Sequence, residues 1–491
     1  MSTGEGTAAV VGRYETVIGL EVHVELATGS KMFCGCPTEF GAPPNTQVCP
    51  VCLALPGALP VPNEQAIIYA VRAALALGCS IDPGCRWDRK NYHYPDLPKG
   101  YQITQYARPL AREGSLCFTG ADGDLRQVRI RRLHMEEDTG KSTHEGMPGG
   151  TTGVDLNRAG VPLIEIVSEP DLRSPDDARL YLQALRTLLL YTGVSDVRME
   201  EGSLRCDANV SLRLAGATEF GSLVEVKNMN SFRSVQRALE YEAARQAAAL
   251  EAGERIVRET RHWDDRRGLT FASRSKEEAH DYRYFPEPDL GPVALSQDFI
   301  DSVRAGLPEL PAARTARYAA MGLTPYDAGV LVADPPLADY FDRMLAAGAA
   351  PREGVALLTV ELLGRLNASG IAISDSRCRV RPEQLAGLQR LVAVGTISGK
   401  VAKTVLEEML ASGEDAQTVV SRQGLHQISD TDAIAKAVAD AVAAHPQSVA
   451  DYRGGKRQAL GFLVGQIMKA TRGKANPALV NRLLEEALRQ D

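Results

Sequence analysis

The chain has 491 residues, 44% of them apolar and 24% charged, too many for one ordinary domain and enough apolar side chains for sizeable cores. Its net charge of -7 excludes the global positive field of a histone-like protein, so any contact with nucleic acid needs a local basic patch. No run of 18 apolar residues is present, so no transmembrane helix is expected. Met1 to Gly12 carries Glu5, no Lys or Arg and no apolar stretch, so no secretory leader is expected either. The expected location is cytoplasmic, without a membrane partner. There, nine cysteines read as metal ligands or buried thiols rather than disulfides.

From the N-terminus, Ile18 to Leu26 alternates strictly, which predicts a strand with Ile18, Leu20, Val22, Val24 and Leu26 on one face and Glu21, His23 and Glu25 on the other. Asn63 is a plausible N-cap for a helix running to about Gly78. A basic strand is expected from Arg129 to His134, with Glu136 and Glu137 at its end. Val161 to Val167 predicts a strand apolar on both faces except at Glu165. Ser174, with Pro175, Asp176 and Asp177 behind it, opens a helix ending near Gly193. Arg205 to Leu214 alternates again. Leu223 to Lys227 puts Glu225 and Lys227 on one side, and a helix follows from Ser231 to Gly253. Beyond residue 300, after the Pro-rich stretches at Phe285 to Asp289 and Leu307 to Pro311, the composition favours helices. No internal repeat is found.

These elements predict an α+β multidomain chain: a mostly antiparallel sheet domain at 1–297, then two all-α domains at 298–415 and 416–491.

Four features carry chemistry. Cys34 and Cys36, followed by Cys49 and Cys52, match four thiolate ligands of a closed, structural zinc site; the other reading is four reduced buried thiols. Glu21, His23, Glu136, Asp207 and Glu225 lie on strands and Glu165 in an apolar one. Singly, most read as ordinary polar faces, while Glu165 demands a cation or a hidden Arg. Such oxygen and imidazole donors suit magnesium or manganese. Two aromatic, charged stretches, Trp87 to Gln102 and Asp281 to Pro286, read either as a base- or ribose-stacking surface or as loops packed on the sheet. Between Asp451 and Glu485 no acid occurs, while Arg453, Lys456, Arg457, Lys469, Arg472, Lys474 and Arg482 all lie there, either a counterpart to nucleic-acid phosphates or a solvated helix face. Gly140-Lys141-Ser142 ends like a P-loop, but Met135 stands where its first Gly belongs, and no G-x-G-x-x-G is present. An ATP pocket would be of an unfamiliar type, its residues unassigned by any motif.

The ordered motifs Tyr14 to Leu26, Asp88 to Tyr92, Tyr101 to Gln105, Leu133 to Asp138, Pro162 to Asp171, Glu201 to Asn209 and Glu225 to Phe232 closely resemble the GatB family, the B subunits of aspartyl/glutamyl-tRNA(Asn/Gln) amidotransferases. The resemblance runs from about Tyr14 to the C-terminus. It implies a "cradle" domain carrying kinase and transamidase chemistry, a helical domain and a tRNA-gripping tail. It implies a GatCAB heterotrimer in which an amidase, the A chain, supplies ammonia through a tunnel and a small C chain bridges the other two. Misacylated Glu-tRNA(Gln) or Asp-tRNA(Asn) is the implied substrate, ATP the phosphate donor, and the cognate aminoacyl-tRNA synthetase a further partner to consider. By motif, His23, Glu136 and Glu165 resemble catalytic ligands of one magnesium, and Glu21, Asp207 and Glu225 ligands near a second. The four cysteines resemble a zinc site present in many relatives, and the basic run falls in the tail.

Two rival readings are a zinc-containing tRNA-binding scaffold without catalysis and a self-sufficient amidotransferase. The second lacks a glutamine-attacking nucleophile in suitable context.

Overall fold

The structure, a computed structural model, describes residues 13–143, 147–272, 281–426, 431–471, 475 and 477–489. The chain divides into two compact units, Met1–Pro311 and Ala312–Asp491. The first is built on a nine-stranded sheet. Its strands are β1 (Tyr14–Glu25), β2 (Ser80–Ile81), β3 (Ala111–Thr119), β4 (Leu125–Glu137), β5 (Pro162–Ser168), β6 (Leu204–Leu214), β7 (Val224–Lys227), β8 (Glu259–Asp264) and β9 (Leu269–Ala272). They lie in the order β9-β8-β7-β6-β1-β5-β4-β3-β2. The sheet is mixed: neighbours run antiparallel except β7 and β8, which are parallel.

Three helices follow from the capping signals in the sequence. α1 (Glu64–Ala76) starts at Asn63, whose side chain accepts from Ala66 N. α2 (Pro175–Thr192) starts at Ser174, which accepts from Asp177 N, and stops at Gly193 in the left-handed region. α3 (Phe232–Glu251) starts at Ser231. Ile18, Leu20, Val22 and Val24 of β1, Ile164 and Ile166 of β5, and Ala208 and Val210 of β6 join Leu182, Leu185, Val235 and Leu239 of the helices in one buried core. Burying each such Leu or Ile stabilises the fold by roughly 1.5–3 kcal/mol, so this face fixes the register of the sheet. The opposite face is left for polar side chains.

β4 is longer than the sequence suggests. It runs through Glu137, so Glu136 and Glu137 lie within the strand and are buried, at 2% and 4% exposure, rather than on a solvated edge. A smaller three-stranded sheet of Asp88–Asn91, Tyr101–Thr104 and Phe285–Pro286 lies against this end of β4. Ile103 N donates to Glu137 Oε1 at 3.0 Å and Gln102 Nε2 to the Glu137 carbonyl at 2.8 Å.

The second unit is helical among its described residues, from Pro311–Ala320 to Pro477–Arg489. Gly413 ends helix Gly399–Ser412 in the left-handed region. Ile434, Val438, Leu463, Ile467, Val480 and Leu484 form a core of their own near the C-terminus. Among the described residues no helix is long and apolar enough to cross a membrane.

Candidate functional site

Antiparallel register decides which of the acids meet. His23 of β1 lies directly opposite Glu165 of β5, and Glu165 directly opposite His134 of β4. One residue pair along, Glu21 faces Asp207 of β6. Directly opposed side chains share a face about 5 Å apart, so four strands deliver one polar patch.

Within it, His23 Nε2 is 3.3 Å from Glu165 Oε2, 3.5 Å from Glu136 Oε1 and 4.0 Å from Glu21 Oε1. His134 Nε2 is 3.5 Å from Glu165 Oε2 and 3.8 Å from Glu136 Oε2. Arg132 Nη2 reaches Glu165 Oε1 at 3.4 Å, and Thr104 Oγ1 donates to Glu136 Oε2 at 3.3 Å. Glu165 therefore has the hidden Arg that was one of its two expected partners: the Arg132 guanidinium on one side, with the His23 and His134 rings on the other.

The charges are coupled accordingly. Burial pushes the His23 imidazole down, but the carboxylates of Glu165, Glu136 and Glu21 outweigh it and raise it to about 9. Glu21 is raised, first by burial and then by the Glu165 carboxylate. Burial works against ionised Glu165 too, but the neighbouring His134, His23 and Arg132 hold it well below the usual carboxylate range. An excess of negative charge thus gathers around two imidazoles.

Glu21, His23 and Glu165 each offer a ligand atom, and these atoms lie within 4.8 Å of one another; His134, Glu136 and Glu165 do the same. The donor chemistry, carboxylate oxygen with imidazole nitrogen, fits magnesium or manganese. His134 is an addition: the sequence placed it on a basic strand, and only the cross-strand register aims it at Glu165. Its Nδ1 is buried and finds no partner. Asp207 and Glu225 do not close around the same point. Lys227 Nζ lies between them, 2.5 Å from Asp207 Oδ2 and 3.1 Å from Glu225 Oε1, while Thr260 Oγ1 donates to Glu225 Oε2 at 2.6 Å.

The two aromatic stretches come together beside this patch. Asp88 to Asn91 pairs with Phe285 and Pro286 in the small sheet. Lys90 Nζ sits over the rings of Tyr282 and Tyr92, at 5.0 Å and 5.7 Å, and Tyr106 stacks on Tyr284 at 3.9 Å. Burial pushes the Lys90 ammonium down, but the Glu136 and Glu165 carboxylates outweigh it and leave its pKa raised.

The four cysteine sulfurs converge as well, all within 4.8 Å of one another, with Cys49 and Cys52 Sγ 3.9 Å apart. Tetrahedral zinc at ~2.3 Å from each sulfur needs sulfurs about 3.8 Å apart, so the cluster fits the ion. Beside it the Lys31 side chain is fully buried, its Nζ 3.6 Å from Cys52 Sγ and 3.2 Å from the Leu156 carbonyl. A buried ammonium requires a counter-charge, which thiolates supply and neutral thiols do not. The Cys34 thiol, followed by the Cys49 N–H and Lys31, lowers Cys52 to about 4 against burial, while burial first of all pushes Cys36 up to about 11.

Of the basic residues in the tail, Arg453, Lys456, Arg457, Lys469 and Arg482 are exposed. Lys456 pairs with Asp451 at 3.1 Å, and Arg453 Nε donates to the Leu488 carbonyl. Arg472 and Lys474 lie outside the described residues.

Known proteins agree with the motifs. The family model described as the GatB/GatE catalytic domain matches residues 16–301, and one described as the GatB domain matches residues 339–488. A protein of Moorella thermoacetica, named as the B subunit of an aspartyl/glutamyl-tRNA(Asn/Gln) amidotransferase, is 57% identical over 97% of this chain and 100% of its own length. Proteins of the same name from Carboxydothermus hydrogenoformans and Brevibacillus brevis are 55% and 52% identical, each over 97% of this chain and 99% of theirs. With family models covering most of the chain and full-length relatives at this identity, the chain belongs to the GatB family, the B subunits of aspartyl/glutamyl-tRNA(Asn/Gln) amidotransferases.

Proposed function

We propose that the chain is the part of a tRNA-dependent amidotransferase that activates and amidates the side-chain carboxylate of Glu-tRNA(Gln), Asp-tRNA(Asn) or both. It acts in a ligase that forms a carbon–nitrogen bond with glutamine as amido donor. The observation that carries the reading is the row His23–Glu165–His134 with Glu136 and Glu21 beside it, on adjacent strands of the catalytic-domain match.

The reaction has two parts. A carboxylate oxygen takes the γ-phosphoryl group of ATP, releasing ADP. Ammonia then attacks the acyl carbon, phosphate leaves, and the nitrogen loses a proton to give the amide. Divalent ions, when held at the site, offset the repulsion between the attacking carboxylate and the phosphate. His23, Glu136 and Glu165 would hold one ion, with His134 and Arg132 fixing the orientation of Glu165. Glu21, Asp207 and Glu225 would serve a second. Because these groups sit on hydrogen-bonded strands rather than loops, their positions are set before substrate arrives. Lys90 and the Tyr92, Tyr106, Tyr282 and Tyr284 rings offer a cationic, stacking wall beside them.

Residues 1–297 form the catalytic cradle in this reading, 298–415 the helical domain, and 416–491 the tail that binds tRNA phosphates through Arg453, Lys456, Arg457, Lys469, Arg472 and Lys474. Zinc at Cys34, Cys36, Cys49 and Cys52 is structural. The amidase and the small third chain complete the enzyme, which works in the cytoplasm.

The test is ATP consumption by the chain with and without its two partner chains. Turnover that requires both magnesium and Glu-tRNA(Gln) or Asp-tRNA(Asn), and ignores free glutamate, supports the reading. Binding of tRNA without ATP turnover, partners present, replaces it with a zinc-containing tRNA-binding scaffold.

A further inference from the structure

The stretch Tyr101 to Gln105 does more than help to build the wall beside the site. β3 pairs with β4 only as far as Leu133, opposite Ala111, so His134 to Glu137 runs on past that neighbour. A buried strand edge left in this way holds backbone groups that need partners. Two side chains supply them. Met135 N donates to Gln105 Oε1 at 3.1 Å, and Gln102 Nε2 donates to the Glu137 carbonyl at 2.8 Å. Gln105 Oε1 also accepts from Leu110 N at 3.2 Å, and both glutamines are buried. The stretch stands in for the missing part of β3 and is fixed against the end of β4.

Between the two glutamines, consecutive residues take up consecutive acids. Ile103 N donates to Glu137 Oε1 at 3.0 Å, and Thr104 Oγ1 to Glu136 Oε2 at 3.3 Å. His134 Nε2 lies 3.8 Å from that same oxygen of Glu136, while the other, Oε1, faces His23 Nε2 at 3.5 Å. The last torsion of a glutamate is broad and two-fold, so a carboxylate free to turn presents either oxygen; one held at Oε2 presents Oε1.

We propose that Thr104 is a positioning residue for Glu136: its hydroxyl fixes which carboxylate oxygen faces His23, and so sets the ligand geometry of the ion held there. The inference rests on the ion site of the kinase reading, and goes beyond it by naming the hydrogen bond that orients one ligand.

The experiment measures Mn2+ binding by electron paramagnetic resonance on the full chain, its cysteine cluster loaded with zinc. Thr104→Val keeps the shape and removes the donor, and Mn2+ affinity should fall about tenfold. The spectrum of the bound ion should change with it. Thr104→Ser retains the hydroxyl and should restore both affinity and spectrum. In the heterotrimer, the manganese concentration that half-saturates ATP turnover should rise in Thr104→Val by the same factor as the affinity falls. Melting curves in chelator report any general damage to the fold, which would lower both variants without separating Ser from Val. Wild-type Mn2+ affinity in Thr104→Val overturns the proposal, and so does an equal loss in Thr104→Ser. A wild-type chain that binds no Mn2+ at the acidic site overturns it as well. Failure of the kinase reading alone looks different: Thr104→Val still weakens Mn2+ binding, but the wild-type heterotrimer consumes no ATP at any manganese concentration.

Discussion

Glu165 concentrates the chemistry of the patch, because it is the carboxylate shared by both donor groups that include histidine. Glu165→Gln keeps the shape and removes the charge. It should lower phosphorylation of the aminoacyl group roughly 100-fold or more while tRNA affinity stays near wild type, read by single-turnover ATP cleavage and filter binding. His23 gives a pH signature in the ion-free chain. Its pKa rises from 6.5 to about 9 on folding, so the protonated ring stabilises the fold fully below pH 6.5 and that contribution fades as pH climbs through about 9. Melting curves in chelator should show the decline across this window. A divalent ion must displace the same proton, so its affinity should rise over that range, with proton release seen in calorimetry. Glu165 was legible in the sequence because a carboxylate in an apolar strand is an anomaly. His134 and Lys227 were not, because strand alternation states which face a residue occupies and leaves open which residue of another strand it meets.

The elements that place these residues are held from the other face. Ile166 is fully buried directly after Glu165 on β5. Ile166→Ala should cost about 2–5 kcal/mol in chemical denaturation and slacken β5 beneath Glu165, so ion affinity should fall with stability. The alternation of β1 and β6 and the caps Asn63, Ser174 and Ser231 could be read directly, since each is local. The parallel pairing of β7 with β8 could not. It arises because α3 carries the chain back across the sheet before β8 begins, the crossover a parallel pair requires. β8 itself, Glu-Thr-Arg-His-Trp-Asp, is too polar to announce a strand; its Thr260 and Trp263 are buried while the rest stays half-covered. The same applies to the small sheet, whose outer strand is Phe285–Pro286.

At the scale of the molecule, the cysteine cluster and the basic tail are separable tests. The loop holding the cysteines is stitched to the strand ends of the site: Met32 N donates to the Gly160 carbonyl at 2.7 Å and Gly160 N to the Asp138 carbonyl at 2.9 Å. Gly160 has φ +89, a conformation other residues reach only with strain. Zinc extraction should therefore lower the melting temperature, and readdition should restore it. Lys31→Met should weaken zinc binding, measured by competition with a chromogenic chelator. In the tail, replacing exposed Arg457 or Lys469 with Ala should reduce the slope of log affinity against log salt for tRNA by about 1 for each phosphate no longer neutralised, with ATP turnover at saturating tRNA retained. The division between the compact units falls at Pro311, and buried Ile300 and Val303 pack on the sheet domain's core. Arg89 grips Glu287 with two bonds, at 2.6 Å and 2.8 Å, across 198 residues of chain. During synthesis, then, one side of the wall joins late: a nascent chain stopped short of residue 287 holds Lys90, Tyr92 and Thr104 but lacks the acid that grips Arg89 from the far end of the domain.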